Sequence, residues 1–190
     1  SGSMLGAIGD GGQGYGLTKW GTGRLQLTGA STYSGLTTVA DGQLLLANPA
    51  GAALYNGVSA GPTTRVVIDH QTTTFGAWPN VAAQLEFGAN DQLGSAVDLL
   101  FDTANAYAYV ALAGTNQTVG NLSTGRNPGW AVLQNTEDGS QSRQATLTFH
   151  QRDDLLYNGH LRNSWANGNN TGGALKLVKY GSGKLTIASG

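Results

Sequence analysis

The sequence of 190 residues predicts an all-β solenoid, in which short strands stack into coils of about 20 residues. Three observations indicate this fold class. Pairs of apolar residues separated by one position recur along the chain, these pairs follow one another at a nearly constant interval, and turn-forming Gly and Asn residues lie between them. Gly accounts for 30 residues, roughly twice the usual share.

Each apolar pair predicts a half-buried strand, because the side chains of a strand alternate between its two faces. In chain order the main pairs are Leu25 with Leu27, Leu44 with Leu46, Val66 with Ile68, Leu85 with Phe87, Leu147 with Phe149, and Leu185 with Ile187. The first four pairs are nearly evenly spaced, and the last two are separated by about two such steps. We therefore expect the pairs to mark successive coils, with Leu25 and Leu44 on neighbouring layers. Additional pairs lie between them, so each coil is expected to hold more than one strand.

Helix signals are weak throughout, and almost no helix is expected. Two polar segments without alternation, residues 134–144 and 158–173, are predicted to be outward loops. Gly21, Gly23, Gly35 and Gly42 are expected at the corners between strands, because Gly tolerates backbone conformations that other residues avoid.

Composition excludes several functional classes. The net charge is −1 and no basic tract occurs, which argues against nucleic acid and anionic membranes as partners. The chain has no Cys, so disulfides, thiolate metal sites and thiol nucleophiles are excluded. No apolar run approaches the ~18 residues of a membrane-spanning helix, and no signal peptide is visible.

One phrase of the sequence returns near its end. Residues 19–27, "KWGTGRLQL", correspond to residues 179–187, "KYGSGKLTI", at a constant offset of 160. We expect residues 1–4, "SGSM", to be a cloning remnant and residues 5–190 to form a single solenoid segment. In this division one full repeat occupies residues 17–46 and a second copy begins near residue 177.

The phrase "LTKWGTGRLQLTGASTYSGLTTVADGQLLL" resembles the autotransporter-associated β-strand repeat, also called the passenger-associated transport repeat. The matching residues are Leu17, Thr18, Lys19, Gly21, Gly23, Leu25, Leu27, Gly29, Tyr33, Gly35, Thr37, Val39, Gly42, Leu44 and Leu46. Two linking phrases, at 85–96 and 112–125, resemble connecting coils of the same proteins. The second copy has Val178 where Thr is usual.

The resemblance implies a right-handed parallel β-helix that is part of an autotransporter passenger, secreted to the Gram-negative cell surface. A C-terminal outer-membrane barrel normally follows such a passenger, and it is not contained in this chain. The repeats are scaffold, so no catalytic site and no cofactor are implied. Possible partners are a second copy of the chain, a host or cell-surface protein, or a glycan.

A carbohydrate-active enzyme, of the polysaccharide lyase or glycosidase type, is the alternative function, because β-helix enzymes place carboxylates on adjacent coils. The densest cluster of suitable groups is "HQRDD", with His150, Asp153 and Asp154, followed by His160. Such groups could bind a metal ion or transfer protons. However, alternation would put Asp153 and Asp154 on opposite faces, and a polar turn is the simpler interpretation. His70 beside Asp69 is interpreted as structural for similar reasons.

Two other features are candidate sites. "GDGGQG" has the spacing of a dinucleotide-binding loop, but such a loop needs a following helix, and "YGLTKWGTG" predicts a strand and a turn. Trp20 and Tyr180 occupy equivalent positions of the repeat and are expected to be structural. Trp78, Trp130 and Trp165 have no such counterpart, and these three are the candidate surface contacts, able to stack on sugars or anchor a protein partner.

Overall fold

The computed structural model describes residues 2–4, 6–55, 57, 64–71, 82–103, 107–136, 143–164 and 173–188. Within these ranges the chain forms seventeen short strands and one turn of 3-10 helix, Pro128–Trp130. The strands are β1 Gly2–Met4, β2 Leu17–Lys19, β3 Arg24–Leu27, β4 Thr37–Val39, β5 Gln43–Leu46, β6 Arg65–Ile68, β7 Ala83–Phe87, β8 Asp98–Phe101, β9 Ala108–Ala111, β10 Asn116–Val119, β11 Leu122–Thr124, β12 Ala131–Thr136, β13 Ala145–His150, β14 Leu155–Asn158, β15 His160–Ser164, β16 Leu175–Tyr180 and β17 Leu185–Ala188. None of the described residues belongs to a helix that could span a membrane.

All strand pairs between these elements are parallel, and each sheet collects strands that are distant in sequence. Sheet A contains β1, β3, β5, β7, β9, β12 and β15 in spatial order, and sheet B contains β2, β4, β6, β8 and β11. Sheet C contains β10, β13 and β16, and sheet D contains β14 and β17. The chain visits the faces in turn and returns one strand further along, so the molecule is a parallel β-helix. The predicted all-β solenoid is confirmed.

The core is a set of columns inside the helix. Leu25 pairs with Leu44, Leu44 with Leu85, Leu85 with Val110, and Val110 with Leu133. Leu44, Leu85, Val110 and Leu133 are fully buried. Burying one such side chain contributes roughly 1.5–3 kcal/mol, and each does so against the coils directly before and after it.

The register corrects the predicted coil length. Leu25 and Leu44 lie on neighbouring layers, as expected, but the next partner of Leu44 is Leu85, which is about twice as far along the chain. Val66 lies in sheet B, where it pairs with Thr37 and Leu99 instead of following Leu44. The nearly constant spacing of the first four apolar pairs therefore arises from strands of two different sheets, with Leu25, Leu44 and Leu85 in sheet A and Val66 in sheet B. The expected coil length of about 20 residues fits the first repeat and is close to the step from Ala108 to Ala131, whereas the step from Leu44 to Leu85 is about twice as long. The linking segments therefore vary in length.

The wide spacing of the last two apolar pairs does not correspond to two coils. Leu147 pairs with Leu177 in sheet C, and Leu155 pairs with Leu185 in sheet D. Leu147 and Leu185 therefore belong to different faces of the helix. An apolar pair identifies a strand, but nothing in the pair says to which face that strand belongs.

A third side of the helix changes character along the molecule. In the first coils it consists of bends joined by single hydrogen bonds, such as Ser31 N to Ala53 O at 2.9 Å and Ala53 N to Gln92 O at 3.0 Å. In later coils this side is formed by the paired strands of sheet C. Sheet D continues sheet B, because Asn158 N in β14 donates to Thr124 Oγ1 in β11 at 3.1 Å.

Two predicted loops are shorter than expected. Strand β12 continues to Thr136, and residues 137–142 lie outside the described ranges. Within 158–173, residues His160–Ser164 form β15, which pairs with β12. The sequence "HLRNS" lacks apolar alternation because Leu161, which aligns with Leu133 of the inner column, is its one apolar residue, and Asn163 on the same face is polar. Gly21, Gly23, Gly35 and Gly42 all lie outside strands, as predicted.

Candidate functional site

Trp130 lies in a patch of aromatic side chains on the outer face of sheet A. Pro128–Trp130 form the 3-10 turn that leads into β12, and Tyr107 directly precedes β9. Since Ala131 pairs with Ala108, the two aromatic residues are neighbours on successive coils. Their ring centroids are 4.6 Å apart at an interplanar angle of 67°. Trp130 is 37% exposed and Tyr107 is 41% exposed.

Two further side chains, those of Tyr109 and Arg162, extend the patch along the outer face of sheet A. The Tyr109 ring lies 5.7 Å from that of Tyr107, and the Arg162 guanidinium lies over the Tyr109 ring at 5.7 Å. Arg162 is held in place from the other side, because its Nε donates to Gln134 Oε1 at 2.7 Å. We call Tyr107, Tyr109, Trp130 and Arg162 the aromatic patch. It offers exposed ring surface with a fixed cation beside it, a combination suited to stacking and cation–π contacts.

The other aromatic residues singled out from the sequence are the predicted contacts Trp78 and Trp165, and Trp20 and Tyr180, which were expected to be structural. Trp78 and Trp165 lie outside the described residues. Trp20 and Tyr180 are each 57% exposed at equivalent corners. Tyr180 stacks on His150 of the preceding coil, with ring centroids 5.4 Å apart.

The residues of "HQRDD" do not converge. His150 ends β13, whereas Asp153 and Asp154 lie in the turn before β14 and engage opposite neighbours. Asp153 Oδ2 accepts from Asn121 Nδ2 at 2.8 Å in the preceding coil. Asp154 Oδ1 accepts from Lys184 N at 2.7 Å in the following coil. The interpretation as a polar turn fits these contacts, and across the described ranges no three His, Cys, Asp or Glu side chains are grouped to share a metal ion.

Two carboxylates, those of Asp98 and Asp153, line a cavity of about 190 Å³ on the outside of sheet B. Asn121 Nδ2 donates to both Asp98 and Asp153, at 3.2 and 2.8 Å. Asp98 also pairs with Arg152 and accepts from Asn121 N at 2.8 Å. Both carboxylates are therefore occupied in joining coils, and the arrangement gives no support to the alternative of a carbohydrate-active enzyme.

His70 is buried at a corner beside two carboxylates. Its Nε2 lies 3.8 Å from Asp41 Oδ1. Burial lowers the pKa of His70, although Asp41 and Asp69 act in the opposite direction. Asp69 is joined through Arg126 to Asp102 of the next coil, at 3.1 and 3.2 Å. These contacts stabilise the corner and agree with the structural interpretation of His70.

The "GDGGQG" segment is a turn organised by Asp10. The Asp10 carboxylate accepts from Ser34 N at 3.0 Å and from the backbone N–H groups of Gly12 and Gly14, each at 2.9 Å. These hydrogen bonds, that from Ser34 foremost, lower the pKa of Asp10 to about 2. The chain then enters β2 and not a helix, so the segment lacks the context of a dinucleotide site.

Lys19 is the residue whose role the sequence did not reveal. Its side chain is 6% exposed, and its Nζ donates to the carbonyl oxygens of Trp20, Gly21 and Asp41, the last at 3.0 Å. Burial lowers the pKa of Lys19, an effect that the nearby Asp41 opposes. Lys19 thus joins its own turn to the next coil. Its recurrence as Lys179 before a similar glycine turn was the signal that could have indicated this role.

A second contact is a cluster of three hydroxyl groups, which joins Tyr33 and Thr37 of the repeat to Tyr55, a residue beyond it. Tyr33 OH lies 2.6 Å from Thr37 Oγ1, and Thr37 Oγ1 lies 2.7 Å from Tyr55 OH. Burial raises the pKa of Tyr33 above its usual range and that of Tyr55 to about 12. Tyr33 and Thr37 both belong to the matched repeat pattern, so their side chains hold the coil that the repeat forms.

One comparison with known proteins found a match. Residues 17–46 match the family model described as Passenger-associated-transport-repeat. The match covers β2 to β5. It includes Lys19 with the carbonyl groups that it binds, and Tyr33 and Thr37 of the hydroxyl cluster. The chain therefore carries this passenger repeat, and the resemblance seen in the sequence is confirmed. Neither the curated proteins nor the solved structures gave a match.

Proposed function

We propose that the chain is a scaffold segment of a bacterial autotransporter passenger, displayed at the Gram-negative cell surface. In this proposal its coils support adhesion or self-association, and their folding assists secretion. The observation that carries it is the position of the matched repeat, whose signature residues serve coil stacking. Lys19 joins the two coils of the repeat, and Tyr33 and Thr37 fix the second one.

The physical reason for a role in secretion is the order in which coils form. Each coil of a solenoid buries apolar surface mainly against its neighbours, so coils can be added one at a time. A coil that has folded outside the cell resists passing back through a narrow pore. Folding would then bias the movement of the remaining chain outward.

The experiment expresses the full-length gene product in a Gram-negative host and measures how much passenger reaches the surface by antibody labelling of intact cells. Leu44→Asp places a charge in the buried column and is expected to lower the surface amount several-fold. Leu156→Asp is the matched control, since Leu156 is exposed and the same substitution should leave export unchanged. Equal export of both variants would contradict the role in secretion.

The proposed role of the aromatic patch in adhesion or self-association is tested in the same cells. Trp130→Ala removes an exposed ring of the aromatic patch, so adhesion or cell clumping per displayed molecule should fall while the surface amount stays constant. Trp20→Ala serves as the control, because Trp20 is exposed but lies away from sheet A's patch in the repeat corner. If Trp130→Ala leaves both adhesion and clumping unchanged, the aromatic patch is not the contact surface.

A further inference from the structure

A second cavity, of about 590 Å³, lies on the outer face of sheet A and continues past the ends of β7 and β9. Its lining begins with Arg24 in β3, crosses Leu45 in β5 and Glu86 in β7, and reaches Arg143 in the segment before β13. Neighbouring strands are ~4.8 Å apart, so the steps from β3 through β5 and β7 to β9 cover about 14 Å along the helix axis. The cavity is therefore long enough to hold several linked units of a chain molecule.

One end of the cavity is formed by Arg143, whose position is set by a buried neighbour. Asn135 is buried, its Nδ2 donates to Arg143 O at 2.8 Å, and its Oδ1 accepts from Gly114 N at 2.7 Å. A Cβ on Gly114 would lie 3.1 Å from Arg143 Nε, so the arginine side chain lies against the bare backbone of Gly114. Since a guanidinium carries five N–H donors in a planar fork, Arg143 is a pre-positioned partner for a carboxylate.

The other end of the cavity is formed by Arg24, which is exposed at the start of β3. None of the ion pairs within the described ranges involves Arg24. Between the two arginines, Glu86 accepts from Gln43 Nε2, and Leu45 aligns with Glu86 in the neighbouring strand. Leu45 is buried, so the base of the cavity is apolar at this point while its two ends are cationic.

Two asparagines add hydrogen-bond donors to the wall of the cavity. Asn90 Oδ1 accepts from Asn116 N at 2.9 Å, and Asn116 Oδ1 accepts from Thr146 N at 3.1 Å, so both amide groups have a fixed orientation. Both side chains are exposed, and across the part of the chain that the structure describes neither Nδ2 donates to a protein acceptor. The cavity therefore combines cationic forks, amide donors and a carboxylate acceptor with a small apolar base.

We propose that this cavity binds a carboxylate-bearing polysaccharide whose chain runs parallel to the helix axis. Each arginine takes a carboxylate of the ligand through paired hydrogen bonds. Sugar hydroxyls, which both donate and accept, bond to Glu86 and to the amides of Asn90 and Asn116, and the C–H face of a sugar ring lies on Leu45. The site shares no residue with the aromatic patch, so it goes beyond the contact role proposed above.

An acidic peptide fits this lining less well than an acidic sugar chain. The side chains and backbone carbonyls of such a peptide are acceptors, which suit the arginines and the two asparagines. Its backbone N–H groups, however, would have only the Glu86 carboxylate to receive them among the side chains named above. Sugar hydroxyls satisfy donors and acceptors alike.

The test titrates the full chain by calorimetry at low salt with a hexamer of galacturonic acid, and the fully methyl-esterified hexamer is the matched ligand. Esterification removes the charge and keeps the sugar chain, so binding should weaken by about tenfold or more. The galacturonic acid monomer should also bind at least about tenfold more weakly, since it cannot reach both arginines. A hyaluronan hexamer, with a carboxylate on alternate units, is the second acidic ligand and shows which spacing of charges the site prefers.

Arg24→Gln and Arg143→Gln should each weaken binding of the preferred hexamer by roughly fivefold or more. Arg24→Lys should give an intermediate loss, because an ammonium group cannot form the paired bonds. Lys184→Gln is the matched control, since Lys184 is exposed at the repeat position that corresponds to Arg24 but does not line the cavity. It should leave binding unchanged. Circular dichroism and the melting temperature verify that each variant is folded, and the exposed position of Arg24 makes its variants the safer test.

Equal binding of the acidic hexamer and its methyl ester would overturn the proposal, as would equal losses of affinity in Arg24→Gln and Lys184→Gln. Failure of both acidic glycans to bind at millimolar concentration would also contradict it. A hexamer of glutamic acid is the remaining arm. If it binds as tightly as the acidic glycans, the site recognises charge alone and the assignment to a polysaccharide is wrong.

Discussion

At the scale of single residues, Gly42 shows how the repeat signature is imposed by contacts between coils. Its backbone lies in the left-handed region, and a side chain there would meet two carbonyl oxygens of the preceding turn. Gly12 has a similar backbone conformation, at φ +81°, but a Cβ there would meet no atom within 4 Å. A side chain at Gly12 would therefore add backbone strain alone, whereas a side chain at Gly42 would add both backbone strain and a steric conflict.

Gly42→Ala is expected to lower the free energy of unfolding by at least about 2 kcal/mol more than Gly12→Ala, because only the first adds a steric conflict to backbone strain. Urea denaturation of both variants followed by circular dichroism measures the difference. Equal losses would mean that the coils move apart at Gly42 without cost.

At the scale of elements, the coils are joined by side-chain oxygens that accept backbone N–H groups of the next coil. Asn90 Oδ1 accepts from Asn116 N at 2.9 Å, and Asn116 Oδ1 accepts from Thr146 N at 3.1 Å. Asn121 Oδ1 accepts from Arg152 N at 2.7 Å and from Asp153 N at 3.2 Å. Such bonds satisfy backbone N–H groups near the starts of β10 and β13 and in the turn before β14. Asn121 differs from the others in also donating to two carboxylates.

Asn121→Asp keeps the accepting oxygen but replaces the donating amide with a charge facing Asp98 and Asp153. We expect a loss of about 2 kcal/mol or more at neutral pH, since Asn121 is buried. Neighbouring carboxylates raise the pKa of the new Asp, so the folded state binds more protons than the unfolded state, and the loss should shrink toward about pH 4. Urea denaturation curves recorded between neutral pH and about pH 4 measure this loss of unfolding free energy.

Asn116→Asp is the matched control, because Asn116 is exposed and its Oδ1 has the same accepting role. Its effect should stay within about 0.5 kcal/mol. A pH-independent loss at Asn121, or an equal loss at Asn116, would show that the two donated hydrogen bonds of Asn121 contribute little.

At the scale of the whole molecule, the β-helix is a one-dimensional stack. Sheet A runs through it from β1 to β15, while the other faces change from bends and sheet B to sheets C and D. Contacts are made with adjacent coils, so a local defect should weaken its neighbours and leave distant coils intact.

Leu133→Ala tests this expectation, because it removes a buried side chain between β9 and β15. A loss of about 2–4 kcal/mol is expected, seen as faster amide exchange in β9, β12 and β15 with β3 and β5 unchanged. Leu44→Ala should speed amide exchange in β3 and β5 and leave β12 and β15 unchanged. Uniformly faster exchange in either variant would indicate that the stack unfolds as a single unit.

The sequence by itself determined most of the apolar strands, the glycine corners and the repeat, but not the polar strand β15. Leu25 with Leu27 and Leu44 with Leu46 predicted neighbouring layers, and the glycine-rich phrase at 17–46 predicted the passenger repeat. These features are local, because the alternation of a strand and the demand for glycine in a tight turn depend on a few adjacent residues.

Only the tertiary structure decided which strands share a face, and therefore which side chains meet. Val66 carries the same apolar pattern as Leu44 yet lies in another sheet, and Trp130 meets Tyr107 only because one coil brings them into register. Linking segments of unequal length separate the coils, and chain length between two strands does not encode their register. That register is fixed by contacts between residues far apart in sequence, such as the bond from Lys19 to Asp41, which only the folded chain brings together.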